Sequence, residues 1–255
     1  MQQAIAAYEV AIDNLESVRN DLTSFNNLDL KFSFQDTIEP IFRELVDLLL
    51  PYDPNAEVRK SNSSTQESLQ QIGETQEALQ KAQKAIEDLQ VAELENFLRC
   101  RLTNTQSVPI YQIIDEENLN TAVIYSIILD DRLEVILKLP KNLAPKNKQF
   151  IRYTTLVSKN DVENTANNFL NEIKQGLSAE EKGSELYQWL LKQADENHLR
   201  NSNIKTLVFV LDGALRNIPI AALYDGKNYI VRNYSIALSL GIQLTKQQPL
   251  KKRKI

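Results

Sequence analysis

One cysteine and one histidine, Cys100 and His198, are the residues of this 255-residue sequence that could supply a thiol nucleophile and an imidazole base. Such chemistry needs a thiolate and a base within hydrogen-bond reach. Cys100, however, closes a long helical pattern in "ELENFLRCRL", and His198 lies near another helix end in "ADENHLRNSN". A lone cysteine is usually a packing residue, and a histidine at a helix C-terminus usually interacts with the helix dipole. We therefore predict no Cys100–His198 dyad and no catalytic residues in this chain.

The same composition limits metal and cofactor chemistry. One Cys and one His exclude a zinc site built from several such ligands. The six glycines are never spaced as in a phosphate-binding loop. The sequence therefore predicts neither a metal site nor a cofactor site.

A second set of chemically capable side chains follows an apolar run in "LVFVLDGALRNIPIAALYDG". Gly213 allows a sharp turn after the run, and Asp212 is expected to accept hydrogen bonds from backbone amides of that turn. Pro219 fixes φ and donates no hydrogen bond, so it belongs at an edge or a kink. Arg216 could bind a partner's carboxylate, or it could pair internally with Asp212. We favour the internal pair, because an Asp and an Arg four residues apart around a turn are usually local partners.

The first hundred residues have the pattern of a helical unit. They carry a net charge of −10 against +5 for the rest, and they contain one glycine, Gly73. Apolar residues recur every three or four positions from Ile5 to Leu22. A second helix is predicted over 35–50, with Asp36 or Thr37 as its cap, Pro40 in its first turn, and Pro51 and Pro54 after its end. A third runs from about Gln66 to Arg99, capped by Ser64 or Thr65. Its apolar stripe is Leu69, Ile72, Leu79, Ile86, Leu89, Phe97 and Leu98.

The periodicity changes near residue 103. Residues 121–140 are two β-branched runs around Asp130-Asp131, which predicts a hairpin, and Phe150 to Val157 predicts a third strand. A helical face follows over 161–177, and Ser178 with Glu181 predicts a capping box for another helix. The apolar run 207–212 is typical of a strand buried on both faces. Two more strands are predicted at 228–233 and 234–240. The fold class is therefore α then α/β.

The stretch "LVFVLDGALRNIPIAALYDGKNYIVRNYSIALS" (207–239) resembles the CHAT domain, the caspase-like domain associated with tetratricopeptide repeats. The resemblance is to the cyanobacterial members of this family. Leu211 stands where many members have proline. Upstream, "TIEPIFRELVDLLL", "AELENFLRC" and the hairpin at 121–140 resemble the helical lead-in and first hairpin of such domains. The residues that fall on the family pattern are Asp212, Gly213, Leu215, Arg216, Pro219, Ala222, Leu223 and Tyr229.

The resemblance implies two domains: residues 1–102 as a TPR-like helical lead-in, and 103–255 as the N-terminal part of a caspase-like domain. It also implies cysteine peptidase chemistry. In the family, the catalytic His of a His-Gly pair and a later catalytic Cys both follow the segment seen here, and they would come after Ile255. We therefore expect an N-terminal portion of such a protein that is not catalytic alone. The alternative is an interaction or scaffold module without chemistry.

Partners and location are further expectations. We expect a protein partner, either for the helices or as a missing catalytic half, and possible self-association through unpaired strand edges. The basic tail "KKRKI" (251–255) is interpreted as an interrupted linker rather than a nucleic-acid site. No apolar run is long enough to span a membrane, and the start of the chain has no secretory pattern. With a single cysteine, these features predict a cytoplasmic protein without nucleic-acid or membrane binding.

Overall fold

The computed structural model describes residues 1–22, 37–52, 75–98, 108–110, 115, 120–145, 148–239 and 242–243, without the side chains of 16–22, 108–109 and 242–243. Helices come first in the chain and a mixed sheet with its own helices follows. The predicted class, α then α/β, is confirmed. The predicted domain boundary at 102/103 falls outside the described residues and stays a prediction. No helix in the described part of the chain combines the length and apolar character needed to cross a bilayer.

The described residues of the first part form three helices: α1 (Gln2–Leu22), α2 (Glu39–Leu49) and α3 (Gln76–Leu98). Pro40 lies in the first turn of α2, as predicted, but the predicted cap is wrong for Thr37. The N-cap position is Ile38, and no side chain caps it. Asp36, Pro54 and the predicted start of the third helix, with Ser64, Thr65, Leu69 and Ile72, lie outside the described residues.

The predicted stripe of α3 is correct in its middle and wrong at its end. Leu79, Ile86 and Leu89 are buried, whereas Phe97 is 81% exposed and Leu98 46% exposed.

A five-stranded sheet is the centre of the described structure, in the order β4-β3-β2-β5-β6. The hairpin consists of β2 (Thr121–Ile128) and β3 (Leu133–Lys138), and its two-residue turn at Asp130-Asp131 is confirmed by the Leu129 to Arg132 backbone hydrogen bond. β4 (Phe150–Thr155) pairs antiparallel with β3. β5 (Thr206–Val210) and β6 (Ser235–Ser239) extend the sheet in parallel with β2. A small separate pair joins β1 (Val108–Pro109) to β7 (Ile242–Gln243).

Helices cover both faces of this sheet. Two helices, α4 (Lys159–Lys174) and α5 (Glu180–Leu190), pack on the face formed by Ile124, Leu207 and Phe209. Helices α1, α2 and α3 supply a second core with Val123, Tyr125, Val208 and Val210 on the opposite face. Strand β5 is therefore buried between two layers, as its continuous apolar run predicted.

Two local predictions in the second half are wrong. Helix α5 begins after Ala179 without a side-chain cap, so Ser178 and Glu181 form no capping box there. The predicted strand at 228–233 is instead a short 3₁₀ turn at Ile230–Arg232, preceded by a single bridge between Tyr224 and Tyr229. The chain needs this turn to reverse direction and enter β6 parallel to β5. Helix α4, by contrast, is capped by Ser158, which accepts a hydrogen bond from the Asp161 amide.

Candidate functional site at the carboxyl edge of the sheet

The carboxyl ends of β2 and β5 meet at one edge of the sheet, because the two strands are parallel. Ile128 ends β2, and Asp212 and Gly213 follow β5 by two and three residues. Ligands of open α/β sheets commonly bind outside such carboxyl ends. This edge, where the CHAT-like motif begins, is the candidate functional site.

Asp212 is the most deeply buried charged group at this edge, with no exposed surface. Its Oδ2 accepts hydrogen bonds from the Ile128 amide at 2.9 Å and from Arg43 Nη1 at 2.7 Å, and its Oδ1 accepts one from Arg43 Nη2 at 3.1 Å. The predicted partners, amides of its own turn, are therefore wrong. Burial alone would raise the pKa of Asp212, but the charge and hydrogen bonds of Arg43 outweigh it and hold that pKa below its usual value.

Arg43 comes from helix α2, far from the motif in sequence. Its Nη1 also donates to the Ile128 carbonyl at 2.7 Å, and its Nε donates to Glu39 at 2.6 Å. The guanidinium thus binds both carboxyl ends of the neighbouring strands. Burial lowers the pKa of Arg43, but Asp212 and Glu39 raise it by more, so the side chain stays charged.

Arg216 is an internal residue, as the sequence indicated. It lies in the 3₁₀ turn Gly213–Asn217 and its Nε donates to the Leu211 carbonyl at 3.0 Å. Its distance to Asp212 is 3.7 Å, so the predicted pair exists. The closer partner is Glu93 of α3, at 2.5 Å. Burial raises the pKa of Glu93, although Arg216 opposes that effect.

Gly213 turns the chain off β5 with φ +50°, in the left-handed region that favours glycine. The remaining motif residues are mostly structural in their setting. Leu215 and Leu223 are fully buried against α4 and α5, and Pro219 separates two 3₁₀ turns, Gly213–Asn217 and Ile220–Ala222. Ala222 ends the second of these turns. Tyr229 is 39% exposed and its hydroxyl lies 3.3 Å from Glu180.

A polar cleft of about 820 Å³ opens beside this edge. Its wall carries several ion pairs, including Arg43 with Glu39, Arg216 with Glu93, and Arg132 with Asp47. Among the described residues, those that line this cleft include no Ser, Thr, Cys or His. Within the described ranges, no three His, Cys, Asp or Glu side chains are grouped so that they could hold a metal ion.

His198 lies away from this edge, in the turn Asp195–Leu199 that leads towards the amino end of β5. Its ring is 6.4 Å from the ring of Tyr153, and burial lowers its pKa. Cys100 lies outside the described residues, so the predicted absence of a Cys100–His198 dyad stays a prediction.

Arg43 is the residue of this site that sequence reasoning missed. The stretch "TIEPIFRELVDLLL" was singled out for its caps and apolar face, and a charged residue on such a helix is normally solvated. One signal was present in the sequence: Asp212 ends an apolar run that is typical of a buried strand, and a buried carboxylate needs a cation.

Residues 180–254 match the family model of the CHAT domain. This segment begins at α5 and includes β5, the Asp212–Gly213 turn and β6, so the resemblance to the CHAT domain is confirmed over this part of the chain. No curated protein and no solved structure is detectably similar to the chain. The hairpin at 121–140 and the lead-in helices lie outside the matched segment, and their assignment to the same family stays a prediction.

Proposed function

We propose that this chain is the structural, N-terminal portion of a caspase-like CHAT-domain protein of the cysteine peptidase type, and that it does not cleave peptides alone. One observation carries the proposal. The CHAT match includes the end of β5 with Asp212 and Arg216, and these two residues lie in an ion-pair network with Arg43 and Glu93.

The chemistry of these residues favours a supporting role. Peptide hydrolysis by a thiol needs a thiolate, a base that generates it, and donors for the oxyanion. Asp212 is a poor base, because its pKa is held low and both of its oxygens accept hydrogen bonds. The guanidinium of Arg43 is likewise engaged with Glu39 and Asp212. These groups fix the geometry of the edge. The edge would then support a catalytic His and Cys that another chain supplies.

A peptidase assay tests the proposal. The full chain, Cys100→Ala and His198→Ala are incubated with a broad peptide library, and no cleavage above background is expected from any of them. Cleavage by the full chain that either substitution abolishes would refute the non-catalytic role. Reading the coding sequence downstream is a second check. A His-Gly and a Cys segment there would support a divided peptidase, that is, one whose catalytic half is encoded separately from this chain.

A second candidate function is a protein interaction module, proposed on a different observation. A small apolar pocket of about 210 Å³ lies beside β6, lined by Phe209, Leu211, Arg216, Leu238 and Ser239. No described strand pairs with the outer side of β6. A partner strand could add to this edge and place an apolar side chain in the pocket. A stable complex without any downstream His-Gly or Cys segment would favour this function.

We propose a protein partner rather than a nucleic acid or a membrane surface, and a cytoplasmic location. Four basic residues in the tail 251–255 are few for nucleic-acid binding by an otherwise acidic chain. A DNA shift assay at several salt concentrations tests this, and binding that is lost on deletion of 251–255 would contradict it.

A further inference from the structure

Three buried polar side chains follow one face of helix α3 where it packs on the sheet. We call Gln83, Glu87 and Gln90 the polar stripe; each is at most 2% exposed. Their spacing of four and three residues places them on one side of the helix. Apolar side chains surround the stripe, with Leu79, Ile86 and Leu89 from the helix and Val123 and Ile127 from β2.

Glu87 is the titratable group of the stripe. The hydroxyl of Tyr125, a fully buried residue of β2, donates to Glu87 Oε1 at 3.1 Å. The amide of Gln83 lies near Glu87 and lowers its pKa, but neither Gln83 Nε2 nor Gln83 Oε1 makes a hydrogen bond in the described part of the chain. Both neighbours are uncharged, so nothing in this contact set compensates an ionised carboxylate.

The charged groups around this interface are engaged with one another. On α3 itself, Lys84 pairs with Asp88 on the outer side, where the Lys84 side chain is 71% exposed. The pairs and contacts on the elements packed against α3 are Lys81 with Glu9 of α1, Tyr8 with Glu44, Arg43 with Glu39 and Asp212, Asp47 with Arg132, Arg152 with Glu134, and Lys138 with Asp115. Burial raises the pKa of Glu87 to about 8, and the hydrogen bond from Tyr125 and the nearby amide of Gln83 only partly oppose this.

We propose that Glu87 is a proton-dependent latch: protonated, it holds α3 on the sheet, and ionised, it loosens this helix–sheet interface. The effect reaches the carboxyl edge, because the same helix binds it at two further points. Gln90 Nε2 donates to the Leu211 carbonyl at 3.0 Å, and Glu93 pairs with Arg216. The latch stands on this packing alone and is independent of the proposed function.

The direction of the pH effect follows from linkage. The pKa of Glu87 is about 8 in the folded chain and 4.5 as its ordinary value. Between these values the folded state holds a proton that the unfolded state releases, so stability falls as pH rises. The stabilisation that protonated Glu87 contributes is complete when the pH is below the ordinary pKa. It is lost once the pH rises above the pKa in the folded chain. One such proton changes the unfolding equilibrium constant by up to tenfold per pH unit.

Urea unfolding of the full chain between pH 5 and 9 tests the latch, with Glu87→Gln as the variant. The amide cannot ionise. The unfolding equilibrium constant of this variant should therefore lack the change of up to tenfold per pH unit that Glu87 contributes. Glu77→Gln on the same helix is the matched control, because the Glu77 side chain is 80% exposed; it should keep the profile of the unmodified chain. Hydrogen exchange corrected for intrinsic rates should show α3 and residues 211–217 losing protection from pH 7 to 9, and keeping it in Glu87→Gln.

Tyr125→Phe provides a second measurement that does not depend on the first variant. It removes the hydroxyl that stabilises the ionised carboxylate and keeps the ring, so the loss of α3 protection should move to higher pH. Identical pH profiles for the unmodified chain and Glu87→Gln, or a shift to lower pH in Tyr125→Phe, would overturn the proposal.

Discussion

Arg43 and Asp212 are 169 positions apart in the chain and form a two-point ion pair, with Nη–Oδ distances of 2.7 and 3.1 Å. This pair joins helix α2 to the residue that follows β5 and fills the position where the CHAT-like motif begins. The first helices therefore share a core with the sheet and also fix the end of one of its inner strands.

Removal of Arg43 is expected to destabilise the chain strongly. Arg43→Met would leave Asp212, which has no exposed surface, with the more distant Arg216, at 3.7 Å, as its ion-pair partner, and breaking such a buried pair from one side typically costs about 3–5 kcal/mol. Urea unfolding monitored by circular dichroism measures this. In the double variant Arg43→Met, Asp212→Asn the cost should be smaller than in the single variant, since no buried charge remains. A loss below about 1 kcal/mol in Arg43→Met would contradict the role of the pair.

The same pair predicts a dependence on acid. The pKa of Asp212 lies below its ordinary value of 3.8, so the folded state releases a proton that the unfolded state binds. The resulting stability is present above the ordinary pKa and is lost as pH falls through the lowered one. The unmodified chain should therefore lose more stability than Asp212→Asn when pH is lowered from 5 towards 2. Parallel stability curves over this range would show that folding does not lower the pKa of Asp212.

Much of this architecture could be predicted because it depends on local patterns of apolar residues in the sequence. The hairpin at 121–140, the buried strand at 207–210 and helix α4 follow from β-branched runs, an apolar run and a three-four spacing. The prediction of a strand at 228–233 was wrong, because the β-branched and aromatic residues there form a turn between two parallel strands. The periodicity of the sequence does not indicate that the chain reverses direction there.

The candidate site was less predictable, because its contacts come from distant parts of the chain. Asp212 and Arg216 were recognisable as a local pair, but Arg43 and Glu93 belong to helices more than a hundred residues earlier. The polar stripe of α3 is buried against the sheet, although polar residues on a helix are normally solvated. Which distant partner meets a buried polar group depends on the packing of helices, which one sequence does not specify.

Substitution of Gly213 tests the turn that starts the motif. Gly213→Ala would force a side chain into a φ of +50° and place Cβ 3.2 Å from Ile128 Cδ1. We expect a loss of about 1 kcal/mol or more, from the left-handed backbone and from the contact with the end of β2. Gly176→Ala is the matched control, since that glycine has φ +70° and open space around it. An equal or larger loss in Gly176→Ala would show that the contact with Ile128 is unimportant.

The outer side of β6 predicts self-association. This strand, Ser235–Ser239, carries no charge, proline or bulge that would block pairing, and Leu238 on it is 59% exposed. We expect the isolated chain to associate in a concentration-dependent way by light scattering. Leu238→Lys should reduce association by placing a charge on the strand. Val231→Lys removes a comparably exposed apolar side chain from the turn before β6, and it should reduce association less. A chain that stays monomeric at high concentration and melts in one sharp transition would contradict an open edge, and it would favour a complete interaction module over a divided peptidase.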